Sequence, residues 1–438
     1  LLIVVLVLGM GHAARHFHPD DGLIYARYVR NFLAGHGLVF NPGERVNALT
    51  SPLDTGLLVF VSWLLRGHIL LAEWLLGVGF LGATALLAEK YLPCAGILVA
   101  GCMYFYIFLE METGLFLFLL LLSAVFYATD RWHWLPLVLC MVILTRFEGG
   151  AMALPVAWQM AKQKRWPRWQ WWVPALALFA LYVTLNVHFY GKLFPSSGMA
   201  KIQQGFSGYW GKWPKAFYHL PRAFWYPLRS FVYTVPLALW LAWRGGHDAR
   251  LVRWNPVVVP FAAILLAFYT LLNVPGYLWY YAPFILFTLV YASVGLRTFA
   301  LPKQKLAYSL VALVLIHSTL LGGYLLLHVE VMYAKYRYIC AWINANAAPG
   351  ATIAAAETGT LGWYSPDHPV IDIVGLTTPR NAQLLAQHDE TTWLKEEKPD
   401  YVVIHTGGAF GEPAAAHSPD YEKVGVAMAD VYLVRRKK

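Results

Sequence analysis

Long apolar runs, broken by short basic clusters, dominate the pattern along the chain. An apolar helix of about 20 residues crosses the hydrocarbon core of a bilayer. By that measure the candidate spans are 1–12, 52–66, 69–88, 93–109, 112–129, 133–161, 170–190, 222–243, 255–273, 277–296 and 306–328. Trp and Tyr crowd the ends of several, as interfacial belts require. The chain starts with Leu rather than Met, so a few residues are expected to precede it. Its first run could pass for the apolar core of a signal peptide. No small-residue cleavage site follows it and many more spans do, so it reads as the end of a first transmembrane helix.

The basic clusters orient the second half. Lys162–Arg168, Arg244–Arg253 and Arg297–Lys305 mark cytoplasmic loops by the positive-inside rule. Loop 191–221, loop 274–276 and everything after 329 are then external. The first half is less constrained. Arg66 and Lys90 both look cytoplasmic, yet a single span separates them. The run 133–161 is too long for one untilted helix, and Arg146 and Glu148 interrupt it. Splitting it brings Arg146, Glu148, Glu110 and Glu112 to the outer side, where ionisable residues line a site or cavity. That arrangement is preferred here and gives 11–13 spans in all.

Two segments break the pattern. Residues 12–51 open with His, Arg and Asp and turn amphipathic at Leu23–Leu33, which predicts an external loop with an interfacial helix. From Tyr333 a helical stretch to Ala345 gives way to short apolar runs at Ala351–Glu357, Val370–Val374 and Tyr401–His405, separated by turn residues. The expected organisation is an α-helical polytopic membrane domain, 1–332, carrying external loops 12–51 and 191–221. A small external α/β domain, 333–438, follows it. No internal repeat is visible.

Composition agrees. The 438 residues are 58% hydrophobic and 13% charged, against roughly 25% charged in soluble domains. The net charge of +10 does not point to nucleic acid, because the basic residues sit in the short loops. Three of the four cysteines lie inside apolar runs, so no disulfide framework is implied.

Candidate chemistry concentrates at His18-Pro19-Asp20-Asp21. Adjacent carboxylates at the mouth of a membrane protein are costly unless solvated or used. One can serve as general base toward a hydroxyl. The other can orient it or bind a divalent cation such as Mg, Mn or Ca through oxygen. The alternative is a solvated helix cap. Arg27 and Arg30 share an i, i+3 spacing, and Arg matches phosphate bidentately. His12 and His16 have i, i+4 spacing without a zinc-protease context and read as interface histidines. Arg146 and Glu148 are open to a structural ion-pair reading, Glu112 to a helix-cap reading, Lys201 to that of an interfacial anchor, and Tyr280 and Tyr281 to that of belt aromatics.

The run from Asp20-Asp21 through Arg27-Tyr28, Gly35-His36-Gly37-Leu38-Val39-Phe40-Asn41-Pro42-Gly43-Glu44-Arg45-Val46 and Thr50-Ser51-Pro52-Leu53 resembles the first external loop of bacterial GT-C glycosyltransferases. The resemblance is closest to the branch of polyprenyl-phosphate-dependent arabinofuranosyltransferases of the mycobacterial envelope and of type IV pilins. Shorter echoes follow in order. Glu110-Met111-Glu112-Thr113 has Glu110 where glycine is usual. Leu144-Thr145-Arg146-Phe147-Glu148-Gly149 has Phe147 in place of proline. Tyr190-Gly191 through Pro195-Ser196-Ser197 to Lys201 has Ser196 in place of asparagine. Tyr280-Tyr281-Ala282-Pro283 lacks the family's arginine, and Val370-Ile371-Asp372 through Gly375-Leu376 resembles an element of the tail.

What the resemblance implies is an inverting transferase at the outer face of the bacterial inner membrane. It would move a sugar, arabinofuranose by the nearest branch and mannose or another hexose otherwise, from a polyprenyl-phosphate donor to a glycan, lipid or protein acceptor. Asp20 and Asp21 would be catalytic, with a divalent cation possible between them. Arg27, Arg146 and Lys201 would meet the donor phosphate. Glu112, Glu148, Asn41, His36, Tyr280 and Tyr281 would bind substrate. No nucleotide fingerprint follows a strand, which agrees with a lipid-linked donor. A lipid-linked sugar transporter is the rival class, disfavoured because such proteins carry repeated halves.

Overall fold

The structure, a computed structural model, describes residues 1–218, 234–299, 301–408 and 410–437. The expected span 222–243 and the end of loop 191–221 lie partly outside the described residues.

The chain opens with helices α1 (Leu2–Ala14), α2 (Asp20–Leu33), α3 (Pro52–Leu64) and α4 (Ile69–Tyr91). α1 runs antiparallel to α4. Gly11 lies against Val78 and Gly82 against Val7, while Gly96, just past α4, lies against Ile3. The Trp74 indole N–H donates to the Gly11 carbonyl at 2.8 Å. The start of α4 is therefore on the same side as the end of α1, which is the side of α2. α3 begins at Ser51, whose N–H donates to the Tyr25 hydroxyl of α2, and ends four residues before α4. Both ends of α3 thus lie on one side. This corrects the span expected at 52–66: composition made it apolar enough to cross, but it lies along the surface beside α2. Arg66 and Lys90 then sit at opposite ends of α4, and the conflict between them disappears.

The run 93–109 also departs from expectation. It forms a short helix α5 (Ala95–Ala100), ends it at Gly101, and continues as a buried 3₁₀ stretch, Met103–Phe108. The segment after it is clamped from two sides. A Cβ on Gly22 of α2 would meet the Glu110 carbonyl at 2.4 Å, and one on Gly77 of α4 would meet that of Leu109 at 2.0 Å. Only glycine permits this backbone approach. α6 (Thr113–Ala128) then returns along α4.

The run 133–161 is split as expected. α7 (Leu135–Thr145) stops at Arg146, whose backbone is extended (φ −152°, ψ 126°), and α8 (Gly150–Lys162) follows a 3₁₀ turn at Phe147–Gly149. Asp130 pairs with Arg165 at 2.9 Å and Arg253 at 3.3 Å, which gathers the ends of α6 and α8 and the start of Asn255–Leu271 at the face opposite α2. α9 (Val173–Tyr190) and α10 (Ser196–Phe206) bring the chain back. Among the described residues, Ile69–Tyr91, Trp169–Tyr190 and Leu278–Leu296 are long and apolar enough to cross a membrane by themselves. Shorter apolar helices pack with Ile69–Tyr91 and Leu278–Leu296 around one core, while Trp169–Tyr190 packs in a smaller cluster with α7.

The helix Leu301–Asn346 carries the chain from the bundle into the tail, so the boundary expected at 332/333 falls inside it. The tail is a five-stranded sheet of order β2-β1-β3-β5-β4, with β1 Ile353–Ala355, β2 Val370–Asp372, β3 Tyr401–His405, β4 Tyr421–Met428 and β5 Val431–Arg436. β1 pairs parallel with β2 and β3, and the last pairings are antiparallel. Three strands match the expected apolar runs. The β4–β5 hairpin does not, since its half-exposed strands mix charged and apolar residues.

Candidate active site

The N-terminus of α2, the break between α7 and α8, α10 and the turn before the helix Ala282–Leu296 converge on one cavity of about 330 Å³. Asp21, Glu112, Arg146, Glu148, Lys201 and Tyr280 supply its polar lining, and Trp279, Phe194 and Leu376 lie among its apolar walls.

Local chemistry sets each position. Asp20 and Asp21 occupy the first turn of α2, where the helix dipole favours negative charge. α10 is seated by its first residues: the Ser196 hydroxyl donates to the Asn47 carbonyl at 2.9 Å and the Ser197 hydroxyl to that of Ala48 at 2.6 Å. Gln204 donates to the Val374 carbonyl at 2.8 Å. This points Lys201 at the cavity, its Nζ 3.9 Å from the Asp21 carboxylate. Val374 belongs to a turn organised by Asp372, which accepts the N–H groups of Gly375 (2.9 Å) and Thr377 (2.8 Å). The tail domain therefore holds part of the cavity wall.

Arg146 is the electrostatic centre. It is 5% exposed, and its Nε and Nη2 both lie 2.8 Å from Glu148 Oε1. Its Nη1 is 3.6 Å from Glu112, too far for a hydrogen bond, and has no other partner among the described residues. The guanidinium lies 5.0 Å from the Tyr280 ring centroid. Tyr269 donates to Glu148 at 3.1 Å. Beneath Lys201, Tyr277 and Trp279 stack at 4.6 Å, and the ammonium lies 5.6 and 5.9 Å from their rings. Tyr269, Tyr277 and Trp279 escaped the sequence reading. The only signal for the last two was the aromatic density after Pro275-Gly276.

Five expected site residues lie elsewhere. Asp20 accepts three hydrogen bonds from the tail: from Gly359 N–H (3.1 Å), Thr360 N–H (2.7 Å) and the Thr360 hydroxyl (2.7 Å). It fastens the tail to α2 beside the cavity. Arg27 is 2% exposed, and its donors go to the carbonyls of Phe40, Gly362 and His368 and to Asn41. Four of its five N–H donors are taken by these contacts, and Arg27 does not line the cavity. Asn41 is matched to the edge of β2, giving to the Val370 carbonyl and accepting its N–H. His36 borders a separate apolar groove between α3 and α9. Tyr281 donates to the Phe217 carbonyl and stacks near that ring at 4.9 Å. Nor do the two aspartates fit one shared divalent cation. Asp20 is turned to N–H and O–H donors of the tail, and Asp21 faces an ammonium.

Burial first, and then Glu357, push the Asp20 carboxyl up to about 7, against the hydrogen bonds from Thr360. A raised carboxyl stabilises the fold most below the ordinary carboxylate range, and that contribution is lost as pH rises through about 7. The expected result is a wild-type melting temperature that falls more steeply between pH 4 and 7 than that of Asp20→Asn. Identical slopes in a thermal-shift series would contradict this.

The architecture is that of the GT-C membrane glycosyltransferases. The crystal structure of ArnT from Cupriavidus metallidurans bound to undecaprenyl phosphate aligns with a TM-score of 0.63, over 99% of this chain and 97% of that one, at 14% identity. The relationship in sequence is narrower and more specific. A terminal beta-(1->2)-arabinofuranosyltransferase of Mycobacterium tuberculosis is 29% identical over 319 residues, 59% of this chain and 48% of the relative. Its Corynebacterium glutamicum counterpart is 64% identical over 39 residues, 9% of this chain and 6% of that protein. The chain thus spans about half or less of the length of the curated relatives it matches. Residues 329–436 match a family described as a domain of unknown function, DUF8728. The resemblance carried by the first loop therefore holds: the chain has a GT-C fold and is homologous to a terminal arabinofuranosyltransferase.

Proposed function

We propose that the protein is an inverting glycosyltransferase that moves a pentofuranose from a polyprenyl-phosphate donor to a glycan, lipid or protein acceptor of the bacterial envelope. The observation that carries this reading is the meeting of Asp21, Lys201 and the open Nη1 of Arg146 around one cavity in a membrane protein. The arabinofuranosyltransferase relatives support the sugar, and the undecaprenyl phosphate bound to ArnT supports the carrier. The basic loops lie opposite α2, which supports a site opening on the extracytoplasmic side of the cytoplasmic membrane.

In this reading Asp21 accepts the proton of the acceptor hydroxyl while its oxygen attacks the anomeric carbon. The bond to the phosphate oxygen breaks on the opposite face, and the phosphate leaves with the electron pair. Arg146 Nη1 and Lys201 receive the charge that develops on it, as preorganised donors do best. Trp279 gives the sugar an apolar floor. Glu148 and Glu112 hold the guanidinium in place.

The purified full chain should release polyprenyl phosphate from a synthetic polyprenyl-phosphate arabinofuranose and add one pentose to an arabinan oligosaccharide, read by mass. Transfer from the mannose-bearing donor alone would replace the sugar assignment. Transfer from neither would overturn the reading.

A further inference from the structure

A row of aromatic rings leaves the cavity beside Lys201 and ends on the tail. Trp279 lines the cavity, and Tyr277 stacks on it. Trp210 meets Tyr277 at 6.3 Å between ring centroids and Phe410 at 5.6 Å. Tyr209 lies beside Trp210 at 5.4 Å and reaches His388 at 6.1 Å. The membrane domain thus supplies the Tyr and Trp rings, and the tail supplies Phe410 and His388. The row is not sealed. Its Tyr, Trp and Phe rings are half-buried, and His388 is exposed.

Each segment of the row is held in place. Asn273 is fully buried and donates to the carbonyls of Gly205 (3.1 Å) and Gly211 (2.8 Å). It also accepts the Ala216 N–H at 3.1 Å, which pins the loop that carries Tyr209 and Trp210. In the tail, the buried Trp393 indole N–H is shared between the carbonyls of Glu390 (3.0 Å) and Gly411 (3.3 Å). This ties together the loops beside His388 and Phe410. His388 Nε2 donates across to the Ser207 carbonyl at 3.1 Å. His388 and Phe410 both have left-handed backbone, φ 58° and 49°, which bulky side chains rarely adopt. Strain of this kind gathers at ligand clamps.

Two plainer roles fit less well. A membrane-belt ring lies against lipid, whereas this row ends on a domain outside the helix bundle. Rings that only glued the tail down would be buried, and the tail is already fastened through Asp20, Asn41 and Gln204. The flank of the row is polar. Tyr209 donates to Glu390 at 3.3 Å, and the Lys201 ammonium stands at the cavity end. Flat apolar faces beside a few placed polar groups suit a sugar, which has C–H faces and a rim of hydroxyls. A lipid chain has no hydroxyls for that flank.

We propose that the row from Trp279 through Tyr277 and Trp210 to Phe410 binds the acceptor, a glycan chain of several sugars whose terminal residue enters the cavity. The assignment rests on the transfer reaction proposed above and narrows its acceptor to a glycan. The terminal hydroxyl meets Asp21, and the sugars behind it lie along the rings toward the tail.

Calorimetric titration of the purified full chain reads this without turnover. Wild type should bind a linear arabinan hexasaccharide roughly tenfold or more tighter than methyl arabinofuranoside, because the longer chain covers more rings. Trp210→Leu and Phe410→Leu should remove most of that advantage. Trp210→Phe and Phe410→Tyr retain an aromatic face and should keep most of it. Domain glue would treat Leu and aromatic replacements alike, since both are apolar. Equal wild-type affinity for the two ligands, a comparison that needs no variant, overturns the surface. So does equal behaviour of the Leu and aromatic variants. Pentose transfer to a lipid or peptide that weakens in Trp210→Leu would overturn the glycan assignment. Hexasaccharide binding through Trp210 in a protein that transfers no sugar would overturn the reaction and leave the surface standing.

Discussion

Asp21→Asn should lower kcat by roughly 10²–10⁴-fold, the span that a positioned general base contributes, with donor KM little changed. The carboxamide keeps the size and the hydrogen-bonding edge of the side chain. It cannot accept the hydroxyl proton. It also removes the negative partner 3.9 Å from Lys201, so attraction for a phosphate is not reduced. Asp20→Asn is the matched control. Its Oδ1 still accepts from Thr360, so it should retain far more activity. Steady-state kinetics with the lipid-linked donor decide this. If Asp21→Asn stays within about tenfold of wild type, or Asp20→Asn is the weaker enzyme, the base has been misassigned.

Arg146→Ala should fail in two ways at once. Glu112 and Glu148 lose the cation between them inside a buried site, and breaking a buried pair from one side costs about 3–5 kcal/mol. The detergent-solubilised protein should melt at lower temperature. Pairing the change with Glu148→Gln should recover part of that loss, because one stranded carboxylate is neutralised. Activity should not return with the stability. One donor to a developing anion is worth about 10²–10³-fold in turnover, and the double variant still lacks it. Recovery of both together would make Arg146 a purely structural ion-pair residue.

How much of this was legible in the sequence depended on whether a residue's partner was near in sequence or far. The split of 133–161 was legible because a charge pair at Arg146 and Glu148 cannot sit in an unbroken apolar helix. The first loop was legible because its turn residues and carboxylates are contiguous. Asp20 and Asp21 were not separable. Neighbours on a helix point about 100° apart, and which one meets the cavity depends on Thr360, some 340 residues away. Arg27 and Arg30 misled for the same reason. Their spacing suited a phosphate, but Arg27 holds backbone carbonyls of the tail and Arg30 stacks on Trp363 at 3.5 Å. α3 misled because apolar composition reports burial, not direction, and only its neighbours α2 and α4 reveal that it turns back.

The helix Leu301–Asn346 runs 46 residues without a break, roughly 70 Å at the usual rise per residue. The tail is thus mounted on a shaft, and the chain's length there is also an angle. Each residue added or removed along the shaft turns whatever it carries by about 100°. The loop that presents Gly359 and Thr360 to Asp20 has one azimuth at which it meets α2. Beyond the identity of its buried residues, such as Ile339 and Ile343, this helix is therefore constrained in length, which can change only in steps close to whole turns.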